Sequence, residues 1–402
     1  MAADLRAAMP ALQNKTYFNY GGQGPLPSAS LQAIIRCWQS IQELGPFTTA
    51  VWPLINEHTT RLRERLGEWL GVPPQRLAFT ENVTSGCVLP LWGLPWQQGD
   101  DLLLSDCEHP GIVAACQELA RRHGLHVRQL KVSDLCGSNE HTETVLLERL
   151  ERTLQPRTRL VVLSHLLWNT GQLLPIARVA ERLKLHPNRP WLLVDGAQSL
   201  GSVPVAAAAC AADIYACTGH KWCCGPEGLG VVALSERLLA EAQPTLIGWR
   251  SLVSEQPGSQ PAAAGASPFH ADGRRFEVAT SCIPLFAGLD CSLHLLEAEG
   301  SAAQRLERLR NRATQLWQGL QRMDGVKTLL GNPPPAGLVS FTMTGAGGTL
   351  IDPEAMVRAL GEQAIWLRTL PDPACMRACT HLTTTEAEVE LLLTTLWRQR
   401  ES

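Results

Sequence analysis

VDGAQSLG, residues 194–201, and CTGHKWCCGPEGLGVV, residues 217–232, decide the reading of this chain. Each motif begins where a short apolar run ends, at Asp195 after Trp191 and at Cys217 after Ile214. A glycine-rich turn follows the second run, and another apolar run, Leu229 to Leu234, follows the turn. Short apolar runs bounded by turn formers read as buried strands. In a parallel α/β sheet, ligands gather outside the carboxyl ends of the strands. Asp195 at one strand end and Lys221 after the next therefore face one crevice.

That pair has a chemical meaning. An acid can keep a pyridine nitrogen protonated while a lysine carries an aldehyde as a Schiff base, and a pyridoxal 5'-phosphate enzyme needs both groups. Working outward, strands are predicted over Arg76–Thr80, Asp101–Ser105, His126–Lys131 and Leu160–His165. Helical periodicity marks Gly111–His123, Thr144–Leu154 and Ile176–Leu185 as crossovers. Alternation of this kind predicts a mostly parallel, mixed sheet covered by helices. SEQPGSQPAAAGASPFHADG, residues 254–273, reads as a Pro/Gly/Ala-rich surface loop. One long helical region is predicted over Ile283–Gly319, followed by Gly337–Thr342, a helix opened by Asp352-Pro353, Ile365–Leu370 and a last helix from Thr385. The expected organisation is an N-terminal arm, 1–20, packing on the small domain; a large α/β domain, 21–253; the loop, 254–273; and a small α+β domain, 274–402.

The chain has 402 residues, 45% apolar and 18% charged, with 35 Lys plus Arg against 38 Asp plus Glu. This is globular composition, and a net charge of −3 offers no field for nucleic acid or an anionic membrane. No apolar stretch is long enough to span about 30 Å of hydrocarbon. Thirteen cysteines, an odd number, and a charged rather than apolar start predict reduced thiols in the cytoplasm. No C-x-x-C pair is present, so no metal site is expected.

His220-Lys221 with the turn Gly225-Pro226-Glu227-Gly228-Leu229-Gly230, together with DGAQ, RRFEVATS at 274–281 and a late Arg377-Ala378, resembles the fold-type I superfamily of class V aminotransferases and cysteine desulfurases. The resemblance runs from about Tyr17 to Glu390. It implies roles for particular residues. In FTENVTSG the backbone of Val83 and Thr84 and the Thr84 hydroxyl would hold the cofactor phosphate at a helix start. Asn82 stands where the family has glycine, a change open to a residue that visits left-handed backbone. Thr218 and His220 resemble the second set of phosphate ligands. His109 matches the histidine that stacks on the pyridine ring, and Gln198 the residue that bonds the ring hydroxyl. Asn169 in SHLLWNTGQ sits one position after the family asparagine, where this chain has Trp168. Thr280 matches the threonine that reaches the phosphate of a partner subunit, which implies a homodimer, although Ala279 replaces the family glycine. Arg377 matches the arginine that binds the substrate carboxylate, and Arg368 would share that task.

Relatives differ in the reaction. Desulfurases carry a nucleophilic cysteine on a mobile loop between the positions of Arg368 and Arg377. Here eight residues separate the two, including Pro371, Pro373 and Cys375, and the connection reads as short and stiff. That favours the cysteine/cystine C–S lyases, which the chain also resembles in HKWCCGP, IGWRS and LRTLPDPACMRACTH. The resemblance implies β-elimination from cystine or cysteine with Lys221 as proton carrier. Pyruvate, ammonia and cysteine persulfide or sulfide are the implied products, with delivery of sulfur to an acceptor protein for iron–sulfur assembly as an extension. Trp249, in IGWRS, would line the pocket. A desulfurase or selenocysteine lyase, an aminotransferase or epimerase, and a non-catalytic scaffold are the rival readings.

Overall fold

The computed structural model describes residues 5–253, 267–345 and 347–401. A seven-stranded sheet contains β1 (Leu77–Thr80), β2 (Asp101–Ser105), β3 (His126–Leu130), β4 (Thr158–Ser164), β5 (Trp191–Asp195), β6 (Ile214–Thr218) and β7 (Gly230–Leu234). Their spatial order is β1-β7-β6-β5-β4-β2-β3. Neighbours from β3 to β6 pair in parallel, while β7 runs antiparallel to both β6 and β1. Every residue of β1, β2, β5, β6 and β7 is buried, the consequence of helices on both faces and the reason these runs lack alternation. Edge strand β3 is exposed over His126–Gln129, and its polar side chains keep that edge from pairing further.

Two long helices escaped prediction, Ser28–Leu44 and Trp52–Leu70, as did the short Ala206–Ala211 and Glu236–Glu241; both long ones pack on the Ile283–Ala298 helix. The single helix predicted over Ile283–Gly319 is two helices, Ile283–Ala298 and Ala302–Gln321. Gly300, at φ +114°, breaks the run, and the reciprocal capping of Ser301 and Gln304 starts the second helix. Most of the predicted 254–273 loop lies outside the described residues. From 267 onward the chain packs back, with Pro268 O accepting from Val253 N and Ser251 O from His270 N.

The C-terminal lobe holds an antiparallel sheet of β8 (Val326–Thr328), β9 (Leu338–Met343), β10 (Arg368–Pro371) and β11 (Ala374–Cys379), ordered β10-β11-β9-β8. Its apolar core joins Leu316, Phe341, Met376 and Leu392. Asp352 caps the Pro353–Glu362 helix, accepting from the N–H groups of Glu354 and Ala355. The strand predicted over Ile365–Leu370 divides at Leu367. Ile365–Trp366 pairs in parallel with Thr16–Tyr17, whereas Arg368 onward joins β11. The amino-terminal segment thus lies on this lobe: Phe18 enters its core, and Arg6 forms two hydrogen bonds to Glu388 at 2.9 and 3.0 Å.

Candidate active site

The sheet brings the ends of β4 and β5 together, since Ser164 pairs in register with Asp195. Lys221 follows the end of β6, and these three residues form the floor of a cavity of about 210 Å³. His109 and Trp168 form one side, Gly21 and Gln198 another, and Arg368, Pro371 and Arg377 lie across the top. Asp195 is buried, and its Oδ1 accepts a 2.8 Å hydrogen bond from Ala197 N. Burial raises its proton affinity, while that N–H and the charges of Lys221 and His109 act in the other direction. Burial pushes the Lys221 amine down to about 8, against the attraction of Asp195. His109 is the N-cap of the Pro110–His123 helix, its Nδ1 accepting from Gly111 N at 3.2 Å. That bond puts the proton of the neutral ring on Nε2. Gln198 uses both ends of its amide: Nε2 donates to Gly21 O and Oε1 accepts from Trp222 Nε1, each at 2.9 Å.

Beside this floor, Thr218, Gly230 and Thr80 lie in one row across β6, β7 and β1. The helix Val83–Trp92 starts directly above Gly230, where a Cβ would stand only 2.9 Å from Asn82 C. Thr218 Oγ1 and His220 Nδ1 share a 2.7 Å hydrogen bond on the same side. A helix start with its N–H groups, a threonine hydroxyl and a histidine together make an anion cradle. Asn82 corrects the sequence reading: its backbone is extended, φ −166° and ψ 176°, and needs no left-handed conformation. It serves as an N-cap, accepting from Ser85 N at 2.9 Å.

The connection between the two arginines is a β-hairpin rather than a loop. Arg368 on β10 stands directly opposite Arg377 on β11. Arg368 is exposed, whereas Arg377 is buried at 1% exposure. Nη1 of Arg377 donates to Trp168 O at 2.7 Å, and its buried Nε and Nη2 have no hydrogen-bond partner. A guanidinium with two orphaned donors at the wall of a cavity is a candidate site for a planar anion. Cys375 is fully buried on β11, and burial pushes its thiol up to about 11.

The sequence profile of the class-V aminotransferases matches residues 52–392. The chain belongs to that family. As a class-V aminotransferase family member it has the fold-type I architecture, and it superimposes on the cystine C–S lyase C-DES in complex with its product cysteine persulfide. That match has a TM-score of 0.89 and 43% identity over 97% of this chain and 99% of the lyase. A second C-DES structure, with glycine linked to its PLP cofactor, matches at a TM-score of 0.90 and 42% identity over 98% of each chain. A probable cysteine desulfurase of Pseudomonas aeruginosa is 31% identical over 76% of this chain and 71% of its own length. The isopenicillin N epimerase of Streptomyces clavuligerus is 30% identical over 61% of this chain. The match spans 59% of the epimerase, less than two thirds of it.

The cofactor of this family, pyridoxal 5'-phosphate, fits the residues present. The buried Asp195 supplies an anion for a pyridinium, Lys221 an amine for the aldehyde, and the Val83–Thr84 helix start with Thr218 and His220 a place for the phosphate. Of the residues singled out in the sequence, Val83, Thr84, Thr218 and His220 lie at the anion cradle beside the cavity, and Asn169, Trp249 and Thr280 line neither. Asn169 is buried beneath the cavity, donating from Nδ2 to Cys107 Sγ at 3.3 Å and accepting from Thr170 N at 2.9 Å. Trp249 lines a separate cavity with Trp52, Arg63 and His270. Thr280 is exposed beside Glu81 and Ser281 at a third.

Sequence reasoning missed Ser164, Gly21 and Glu108. Glu108 is buried behind the floor, accepting from Ser105 Oγ at 2.5 Å, Ser164 N at 2.8 Å and Ser164 Oγ at 2.9 Å. Burial pushes its carboxyl up to about 7 despite these donors. Only its place next to His109 could have drawn attention to it. Gly21 belongs to a segment with no motif, yet a Cβ there would lie 2.8 Å from Arg377 Nη2 and 2.9 Å from Gln198 Oε1. Among the described residues, no helix is long and apolar enough to cross a membrane.

Proposed function

We propose that this chain is a pyridoxal-phosphate-dependent carbon–sulfur lyase that cleaves cystine by β-elimination. The observation that carries this reading is the β10–β11 hairpin. It holds Arg377 over Lys221 with two unpaired donors and buries Cys375 in a paired strand. The donors suit an amino acid α-carboxylate, whose two oxygens match the guanidinium fork. A buried thiol of raised pKa is a poor nucleophile, which counts against a desulfurase mechanism on this residue.

The cofactor, when bound, supplies the electron sink for a carbanion at the substrate Cα. Asp195 keeps the ring nitrogen protonated, and its burial among few donors raises its own proton affinity without removing the attraction of Lys221. Lys221 Nζ takes the Cα proton. With a pKa near 8, roughly a tenth of that amine is neutral at pH 7, on the order of three hundredfold more than an unperturbed lysine. The Cβ–S bond then breaks with its electron pair on sulfur, so cystine yields cysteine persulfide. Hydrolysis of the remaining three-carbon enamine consumes one water and gives pyruvate and ammonia. A persulfide anion leaves more readily than the thiolate of cysteine, which favours cystine as substrate.

The remaining features belong to the same reading: a cytoplasmic homodimer whose Thr280 completes the partner's phosphate site, and a sulfur-acceptor protein that takes the persulfide toward iron–sulfur assembly. Trp249 and Asn169 act outside the single-chain cavity. The decisive experiment is product analysis on cystine with cofactor-loaded protein. Pyruvate and ammonia in equal amounts are expected. Alanine as the main carbon product would make the protein a desulfurase, the reading its Pseudomonas relative supports. Racemised substrate without elimination would make it an epimerase.

A further inference from the structure

We infer that Trp168 is the residue that selects a disulfide-bearing β-substituent, a role that rests on the lyase reading above. Trp168 enters the site through two different groups. Its carbonyl oxygen takes Nη1 of Arg377, which leaves Nε and Nη2 for the substrate carboxylate. A carboxylate on those donors is held beside the Trp168 backbone, and Trp168 also lines the cavity into which the rest of the substrate extends. The indole itself is fixed. Nε1 donates to Cys107 O at 2.9 Å, and the ring meets the His109 ring edge to face, with centroids 6.2 Å apart and planes at 62°.

Because its one polar atom is already bonded, the indole offers the cavity only an apolar, polarisable surface. Pro110, Leu166, Ala197 and Pro371 are the other apolar side chains of the lining, and none has a π face. Divalent sulfur is attracted to aromatic rings, whereas a hydroxyl loses water there and gains no partner. The wall therefore favours a substrate carrying C–S–S over serine or other small polar amino acids. The arginine contact is made by the main chain, so replacing the indole leaves the carboxylate grip in place and isolates the selectivity.

The test uses holoenzyme with two substrates that share the α-amino acid end, cystine and β-chloroalanine, following pyruvate release. Trp168→Ala should lose on the order of tenfold in kcat/KM on cystine, chiefly through KM, and at least fivefold less on β-chloroalanine. Trp168→Phe, which restores a ring without the Cys107 bond, should recover most of the cystine rate. Equal losses on both substrates in Trp168→Ala, or no recovery in Trp168→Phe, would overturn the assignment. A parent enzyme that releases pyruvate from neither substrate would overturn the lyase reading itself, a result distinct from any failure of the variants.

Discussion

The floor and the roof of the cavity are built on opposite plans. The floor is made of neighbouring strand ends of a sheet buried on both faces, and Ser164, Asp195 and Lys221 are held by that sheet. The roof is one hairpin at the edge of the small sheet, exposed from Pro371 through Ala374 and buried only at Cys375 onward. A floor buried in the sheet suits proton chemistry, which depends on fixed distances and shifted pKa values. An edge hairpin suits recognition, since its tip can change without disturbing the core. The two halves should therefore fail in different ways when altered.

Removing the floor has the largest expected effect. Lys221→Ala should cut turnover by roughly a thousandfold or more with the fold intact, as followed by pyruvate release and circular dichroism. In the parent, kcat should rise with pH, because the Lys221 amine released when substrate binds must be neutral to take the Cα proton and burial lowers its pKa, and that limb should be absent from the residual activity of the variant. Each region also holds one buried histidine, which makes acid stability a second comparison. His165, bonded to Tyr215 Oη at 2.7 Å, lies under the floor, and His381, 3.2 Å from Trp222 O, follows the roof. Burial depresses both to about 4 from 6.5. The unfolded chain binds these protons first, so the stability is complete above 6.5 and is lost as pH falls toward 4. The loss should be about 3 kcal/mol per histidine. Glu108, raised to about 7, gains stability over the same window, so the check is the change in urea midpoint from pH 7 to pH 5 in the parent against His165→Gln and His381→Gln; the same change in all three would refute it.

Within the roof, Arg377→Lys should cost ten- to over a hundredfold in kcat/KM, about 1.5 to 3 kcal/mol, because an ammonium cannot supply the fork. Arg368→Lys, at an exposed position on the opposing strand, should cost only a few fold. Equal losses would mean that both arginines hold the carboxylate. The smallest effect is expected at the thiols: Cys375→Ser and Cys379→Ser should keep cystine cleavage within about threefold, under roughly 0.7 kcal/mol in barrier. Loss of all activity in Cys375→Ser would turn the roof from a recognition element into a sulfur carrier.

The same contrast explains what the sequence disclosed. Asp195, Lys221 and His109 each close a local strand-and-turn pattern, so their placement needed only neighbours along the chain. Asp101–Ser105, Trp191–Asp195 and Ile176–Leu185 were legible for the same reason, as apolar runs or helical faces with clear ends. The connection between Arg368 and Arg377 looked like a short, stiff loop, because two prolines near the tip hide strands that exist through pairing with each other and with β9. The helix over 283–321 looked continuous because propensity outweighed one glycine, while backbone conformation at Gly300 decided otherwise. Glu108 and Gly21 left no local trace, since their contacts reach β4 and Arg377 from distant positions.

The pairing of Thr16–Tyr17 with Ile365–Trp366 also sets an order of events at the ribosome. Tyr20 bonds Thr383 at 2.6 Å, and Arg6 meets Glu388, so the first part of the chain waits for the last. Contacts of such separation close late, because loop entropy must be spent before they reward it. The large sheet can assemble from its own neighbours while translation continues, but Gly21 cannot reach Arg377 until the final strand and helix have emerged. The cavity wall is thus among the last things made, and a nascent or truncated chain would carry Asp195 and Lys221 on an open floor, able to meet its cofactor before it can hold a substrate.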